Sequence, residues 1–137
     1  GIMMDVNCFK EINDTYGHAE GDRAIQEIGH ILSGALVANS VAIRMSGDEF
    51  MVLIRHGSDE LLDKTCTAIE RRVQHYNETA PAGSFQLSFS TGVAKYEGGS
   101  VEKFLVELDQ RMYAEKRAFH AARDSHAAPE QGNAPSI

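Results

Sequence analysis

Only two cysteines, Cys8 and Cys66, occur in the 137 residues. They are too few and too far apart for a zinc quartet or a disulfide scaffold, which points to a reducing, cytoplasmic setting. No apolar run approaches the roughly 18 residues that a membrane-spanning helix needs, so no membrane contact is expected of this domain. The opening GIMMDVNCFK leads quickly into an acid and a lysine, and lacks the longer apolar stretch and small-residue cleavage site of a secretory signal. The six histidines include no HExxH pair, which leaves zinc chemistry without support. No block of lysine and arginine interrupts a formal charge of −7. The footprint of a protein that tracks a long nucleic-acid backbone is therefore missing, and no nucleic-acid partner is expected. A single nucleotide needs only a local site.

What is present is an ordinary globular mixture, 42% apolar and 24% charged, in a chain long enough to bury about two-thirds of its unfolded surface as one domain. A short apolar strand is expected around Ile2 to Val6. Ile25, Ile28, Leu32 and Leu36 then recur at spacings of three and four, one buried stripe of a helix that starts near Asp22. Residues 41 to 45 and 50 to 54 read as two strands joined through SGDE, where Gly47 permits a tight reversal. Ser58 can cap a helix carrying Leu62, Cys66, Ile69, Val73 and Tyr76 inward, ending before TAPAG. From Phe85 apolar and polar residues alternate to about Lys95, a half-exposed strand, and EGGS turns the chain. Ser100 can cap a last helix with Val101, Phe104, Leu105, Leu108 and Met112 inward; Tyr113 also reads as core, and His30, His56 and His75 as surface. The domain is expected over residues 1–123, with residues 124–137 a disordered tail because they show no apolar period.

This order of elements is the ferredoxin-like split βαβ arrangement of the α+β class, an antiparallel central sheet with helices on one face. It makes the first and third strands antiparallel neighbours, so Asp5 at the end of one lies beside Asp48 at the start of the other. Two converging carboxylates repel unless a hard cation holds them, and Mg²⁺ is bound this way with substrate phosphates completing its shell. The same acids, Asp48 and Glu49, also suit a solvated hairpin tip. In FKEINDTYGHAEGD, residues 9 to 22, exposed backbone N–H groups at a turn with Lys10 alongside can hold phosphate oxygens. Asn13 offers a donor and an acceptor and Asp22 accepts, a pair suited to the ring N–H and exocyclic amine of guanine. Equally, Asp22 can be a helix N-cap and Asn13 a turn residue.

The stretches DVNCFKEINDTYGHAEGD, RMSGDEF, FSTGVA and MYAEK, in this order over about residues 2 to 120, resemble the GGDEF domain of bacterial diguanylate cyclases. The resemblance implies a palm-like nucleotide cyclase core and the condensation of two GTP into cyclic di-GMP with release of pyrophosphate, across a transient antiparallel homodimer. It implies Mg²⁺, or Mn²⁺ in its place, held by Asp5, Asp48 and the Val6 carbonyl. Catalytic roles fall to Asp48, Glu49 and Asp5, and guanine recognition to Asn13 and Asp22. Phosphates would be held by the backbone near Cys8 and Phe9 with Lys10 and Lys116, and Ser46 and Gly47 would leave the nucleotide space.

The chain departs from the family pattern at five places, the mildest being Ser46 for the first glycine of the signature, a small change that keeps room for substrate. Asn7 stands where the second acid of Asp-x-Asp is usual, on the face of the strand that carries Asp5, which weakens a second cation site. Lys116 is followed by RAFH, so Phe119 and His120 replace the usual glycine and arginine, and phosphate binding passes to Arg117 or Arg123, or weakens. VANS, residues 37 to 40, lacks the charges of an Arg-x-x-Asp product-inhibition site. The family's opening helix is not in this sequence, which implies a longer protein with an upstream sensor or regulatory domain, one that membrane-anchors the whole if it spans the bilayer. The alternative to the enzyme is a catalytically degenerate domain that binds GTP or a partner as a regulatory module. An ATP-using relative is disfavoured by Asp22.

Overall fold

A computed structural model describes residues 1–127. Four strands, β1 (Ile2–Val6), β2 (Ser40–Ser46), β3 (Glu49–Ile54) and β4 (Phe89–Val93), form one antiparallel sheet in the order β2-β3-β1-β4. Four helices accompany them: α1 (Phe9–Tyr16), α2 (His18–Ala35), α3 (Asp59–Thr79) and α4 (Val101–Ala127). The period of two along β1 divides the core. Ile2, Met4 and Val6 face α2 and α3, meeting Ile28, Leu32 and Ile69, whereas Met3 turns the other way with Met51 and Ala94 to meet Leu108 and Met112 of α4. The expectation of helices on one face holds for α2 and α3; α4 covers the opposite face.

Strands β1, β2 and β3 lie within a residue of the positions their apolar runs predict, and the Ser58 hydroxyl accepts from Leu61 N at 3.2 Å to cap α3 as expected. Four expectations are corrected. Helix α2 starts at His18 behind a glycine N-cap, Gly17, not near Asp22. The strand predicted from Phe85 to Lys95 pairs as β4 only over Phe89–Val93. Before it, Asn77 takes the place of a neighbouring strand: its Oδ1 accepts from Leu87 N at 2.7 Å and its Nδ2 donates to Leu87 O at 2.8 Å. Phe85 and Leu87 are buried nonetheless, so the alternation was a true record of packing and a false one of ladder bonds. On α4, Val101 and Tyr113 are exposed while Leu108 and Met112 are buried. Residues 124–127, expected to begin a disordered tail, continue α4; the rest of that tail lies outside the described residues.

Helix α4 sits unusually low on β4. A Cβ at Gly92 would run into the backbone of α4, at the Leu108 carbonyl and the Met112 nitrogen. Glycine is needed there for the close approach and not for its dihedral freedom.

Candidate nucleotide site

The end of β1, the β2–β3 hairpin tip, the opening of α1 and the middle of α4 meet at one edge of the sheet. The Val6 N–H donates to the Asp48 carbonyl at 3.0 Å, and Asp5 stands opposite Glu49 in the strand register. The sequence-based pairing of β1 with the start of β3 is therefore present. Asp5 is 4% exposed. Burial pushes its carboxyl above the usual carboxylate range, Lys116 pulls it back, and the charge of Asp48 pushes it up again. Lys116 Nζ lies 3.0 Å from Asp5 Oδ1, yet that oxygen is buried without a partner in hydrogen-bond geometry. The contact is a charge pairing at poor angles, which leaves an anionic oxygen donor with unused capacity.

Of the two acids at the tip, Asp48 is the one whose charge bears on Asp5. The Glu49 carboxylate instead accepts from the Ser46 hydroxyl at 3.2 Å. Arg44 clamps the tip from below, its Nε and Nη2 donating to the Gly47 carbonyl at 3.1 and 2.8 Å. Gly47 itself has no positive φ, and a Cβ added there would meet nothing within 4 Å. Gly47 was expected to permit the reversal, and the reversal is there; neither the turn nor the packing requires a glycine for it.

Asn7 is buried, and its side chain is spent on β4. Its Nδ2 donates to Ser88 Oγ at 2.9 Å and its Oδ1 accepts from Ser90 Oγ at 2.7 Å. It was expected to share a face with Asp5 as a weak second cation ligand; Ser90 of β4 and Ser88 just before it engage both of its polar atoms.

Cys8 opens α1 in the left-handed conformation, φ 59° and ψ 31°, with no side-chain cap. The first helical bond runs from Ile12 N to Cys8 O at 3.2 Å, so the N–H groups of Phe9, Lys10 and Glu11 have no acceptor within the helix. The Cys8 thiol is pushed up, chiefly by burial, which leaves it protonated and unreactive at neutral pH. Lys10 is exposed and reaches none of the acids of the edge in an ion pair among the described residues.

Asn13 and Asp22 stand at the α1–α2 junction. Because α2 starts at His18, Asp22 lies in its second turn and is not its N-cap, and its carboxylate is exposed. The Asn13 amide rests against Gly21, where a Cβ would overlap its Oδ1. The reading of Asp22 as a mere helix cap is thereby removed.

Two residues at this edge were not singled out for the contacts they make. Glu11 and Arg123 form an ion pair at 2.6 Å, and the same guanidinium donates to Cys8 Sγ at 2.7 Å. The contact spans more than a hundred residues of chain, and no local pattern announces it. Among the described residues, no group of three or more His, Cys, Asp or Glu is assembled as a ready-made metal cage. Two carboxylates beside the uncapped opening of α1 fit Mg²⁺, which keeps much of its water and takes substrate oxygens; the donor set lacks the Cys and His ligands of a structural zinc site. No helix among the described residues is long and apolar enough to cross a membrane.

Comparison with known proteins identifies the family and the fold. The family described as "Diguanylate cyclase, GGDEF domain" matches residues 2–121. The chain is 31% identical over 117 residues to the probable diguanylate cyclase DgcJ of Escherichia coli K12, covering 85% of this chain and 23% of that protein. It is 33% identical over 116 residues to diguanylate cyclase DgcS of Shewanella oneidensis, covering 84% of this chain and 38% of that one. The chain therefore spans well under half the length of these relatives. Among solved structures, the GGDEF domain of YfiN (TpbB) from Pseudomonas aeruginosa superposes with a TM-score of 0.76 at 29% identity, over 85% of this chain and 74% of that one.

Proposed function

The chain belongs to the diguanylate cyclase GGDEF family, and from that premise we propose that it condenses two molecules of GTP into cyclic di-GMP, each held by one subunit of a dimer. In each of two transfers a ribose 3′-oxygen attacks the α-phosphorus of the facing GTP. A new P–O bond forms, the bond to the β-phosphate oxygen breaks, the hydroxyl proton is released and pyrophosphate leaves. The observation that carries this reading is the Asp5 carboxylate, buried, unpartnered in hydrogen-bond terms at Oδ1 and beside Asp48. A buried anion without hydrogen-bonded support is costly, and a site for a phosphate-bound cation accounts for its retention.

Asp5 and Asp48, with the Val6 carbonyl, would hold Mg²⁺ or Mn²⁺. That cation supplies charge stabilisation for the departing pyrophosphate and lowers the pKa of the attacking hydroxyl. Lys116, which now neutralises Asp5, is free to turn to the phosphates, and the uncapped N–H groups of Phe9 and Lys10 with the Lys10 ammonium receive them. The open space over Gly47, beside the exposed Ser46, suits a nucleotide passing over the hairpin tip. Glu49, held by Ser46, keeps the tip in shape and adds negative charge near the reacting hydroxyl. Asn13 and the exposed Asp22 read the guanine edge, and a carboxylate facing adenine would lack the paired donors.

The test is to incubate the protein with GTP and Mg²⁺, or Mn²⁺, and to follow cyclic dinucleotide and pyrophosphate by mass spectrometry, with Asp48→Asn alongside. Product from the parent and at least a 100-fold loss in the variant are expected. GTP binding with no turnover, in a longer protein that carries its upstream segment as well, would replace this reading with a regulatory nucleotide-binding module.

A further inference from the structure

The loss of the family's arginine at position 120 leaves the proposed phosphate site one cation short by sequence, and two replacements, Arg117 and Arg123, each stand three residues away, one on either side. Their positions differ sharply. The Arg117 guanidinium lies over the Tyr113 ring, 5.3 Å from its centroid, on the exposed side of α4. Arg123 points to the opening of α1, with Nη1 2.7 Å from Cys8 Sγ and Nη2 2.6 Å from Glu11 Oε1. Lys116 and Arg123 are seven residues apart, two turns on one face of α4 and about 10 Å along its axis. One of them reaches Asp5 and the other the first turn of α1.

We propose that Arg123 is the second triphosphate-binding cation of this site, released from Glu11 when nucleotide enters; the proposal rests on the GTP reading above. Three features carry it. The α1 opening presents the unpaired N–H groups of Phe9, Lys10 and Glu11, and the buried Asp5 Oδ1, paired in charge with Lys116 but without a partner in hydrogen-bond geometry, stands at the end of the adjoining strand. The partners Arg123 now holds are weak ones. A thiol sulfur is a poor acceptor, and the carboxylate of an exposed, water-screened pair is readily exchanged, whereas phosphate oxygens match the guanidinium fork two at a time. Finally, Glu11 is an acid in the first turn of α1, where it would repel an arriving phosphate. Arg123 neutralises it in the free protein and the phosphate outcompetes it in the complex.

The test uses pyrophosphate, GTP and guanosine as separate probes in Mg²⁺, each titrated calorimetrically into the parent, Arg123→Gln, Arg123→Lys and Glu11→Gln. Arg123→Gln is expected to weaken pyrophosphate and GTP at least tenfold and guanosine less than twofold. Arg123→Lys should fall between, because the charge remains and the fork is lost. Glu11→Gln should tighten pyrophosphate severalfold by freeing the guanidinium. Pyrophosphate and GTP affinities within twofold of the parent in Arg123→Gln overturn the proposal while leaving the GTP site standing. Failure of the parent to bind GTP at all overturns both. Arg123 is exposed on a helix surface, so its variants should keep the parent's circular dichroism; if Arg123→Gln does not, unchanged pyrophosphate binding in Glu11→Gln overturns the proposal by itself.

Discussion

At Gly47 the fold makes no demand that only glycine meets. Its φ is not positive, its Cβ position is empty, and Arg44 holds its carbonyl, a contact that any residue supports. Gly47→Ala is therefore expected to leave stability within about 0.5 kcal/mol of the parent, as surface substitutions do, while GTP affinity falls at least tenfold because the methyl group intrudes on the substrate's space. Paired thermal melts and GTP titrations decide it, and an alanine variant that binds normally would return the tip to an ordinary turn. Gly21 offers the complementary case. Alanine there displaces the movable Asn13 side chain and not backbone, so the helix should gain up to about 1 kcal/mol from its better propensity while guanine recognition weakens.

Asp5 gives a prediction with a sign. Its carboxyl is raised above its unfolded value, mainly by burial, so the folded state holds the proton more tightly than the unfolded one. Its contribution to stability is complete below the ordinary carboxylate pKa near 4 and declines as pH rises through the raised value. Asp5→Asn should accordingly melt above the parent at pH 7, with the difference closing toward pH 4, and it should abolish turnover. A variant that melts lower at pH 7 would mean that the Lys116 pairing outweighs burial.

At the scale of elements, sequence legibility followed the range of the interactions. β1 and the hairpin were readable because their apolar runs are bounded by turn residues, and α3 because Ser58 carries its cap in its own side chain. The start of α2 was not readable: Gly17 caps it with backbone alone, and a glycine before a helix has no distinctive signature. The stretch before β4 was overextended because Phe85 and Leu87 alternate like a strand while a helix side chain, Asn77, satisfies the backbone. Asn77→Ala should unpair both the N–H and the C=O of Leu87 and cost about 2 kcal/mol, seen as a lower urea midpoint. In the candidate site, the nearness of β1's end, with Asp5, to the hairpin tip, with Asp48, could be anticipated from the order of elements. The engagement of Asn7 by Ser88 and Ser90, and of Arg123 by Glu11, could not, since each joins segments that only the folded topology brings together.

Across the whole molecule, the two faces of the sheet divide the labour. α2 and α3 bury the larger core against one face, and among the described residues α4 alone covers the other and carries Lys116 and Arg123 to the edge. With a formal charge of −7, the protein as a whole repels a triphosphate, so these local cations must do the attracting, and salt should weaken GTP binding. If two subunits each contribute one GTP, specific activity should rise in proportion to protein concentration in the dilute range; a specific activity independent of dilution would exclude a transient dimer.

The seating of α4 on Gly92 sets a limit on drift in this design. With helix backbone resting on strand backbone, no side chain there can yield, and the smallest addition would jack the helix upward. The berth at Met112 lies about one turn from Lys116 and just over three from Arg123, so the lift would be carried outboard to both. A methyl group at residue 92, two residues along β4 from the partner of Asp5, should thus lower GTP turnover without touching an edge side chain, and hydrogen exchange along α4 would register the loosening.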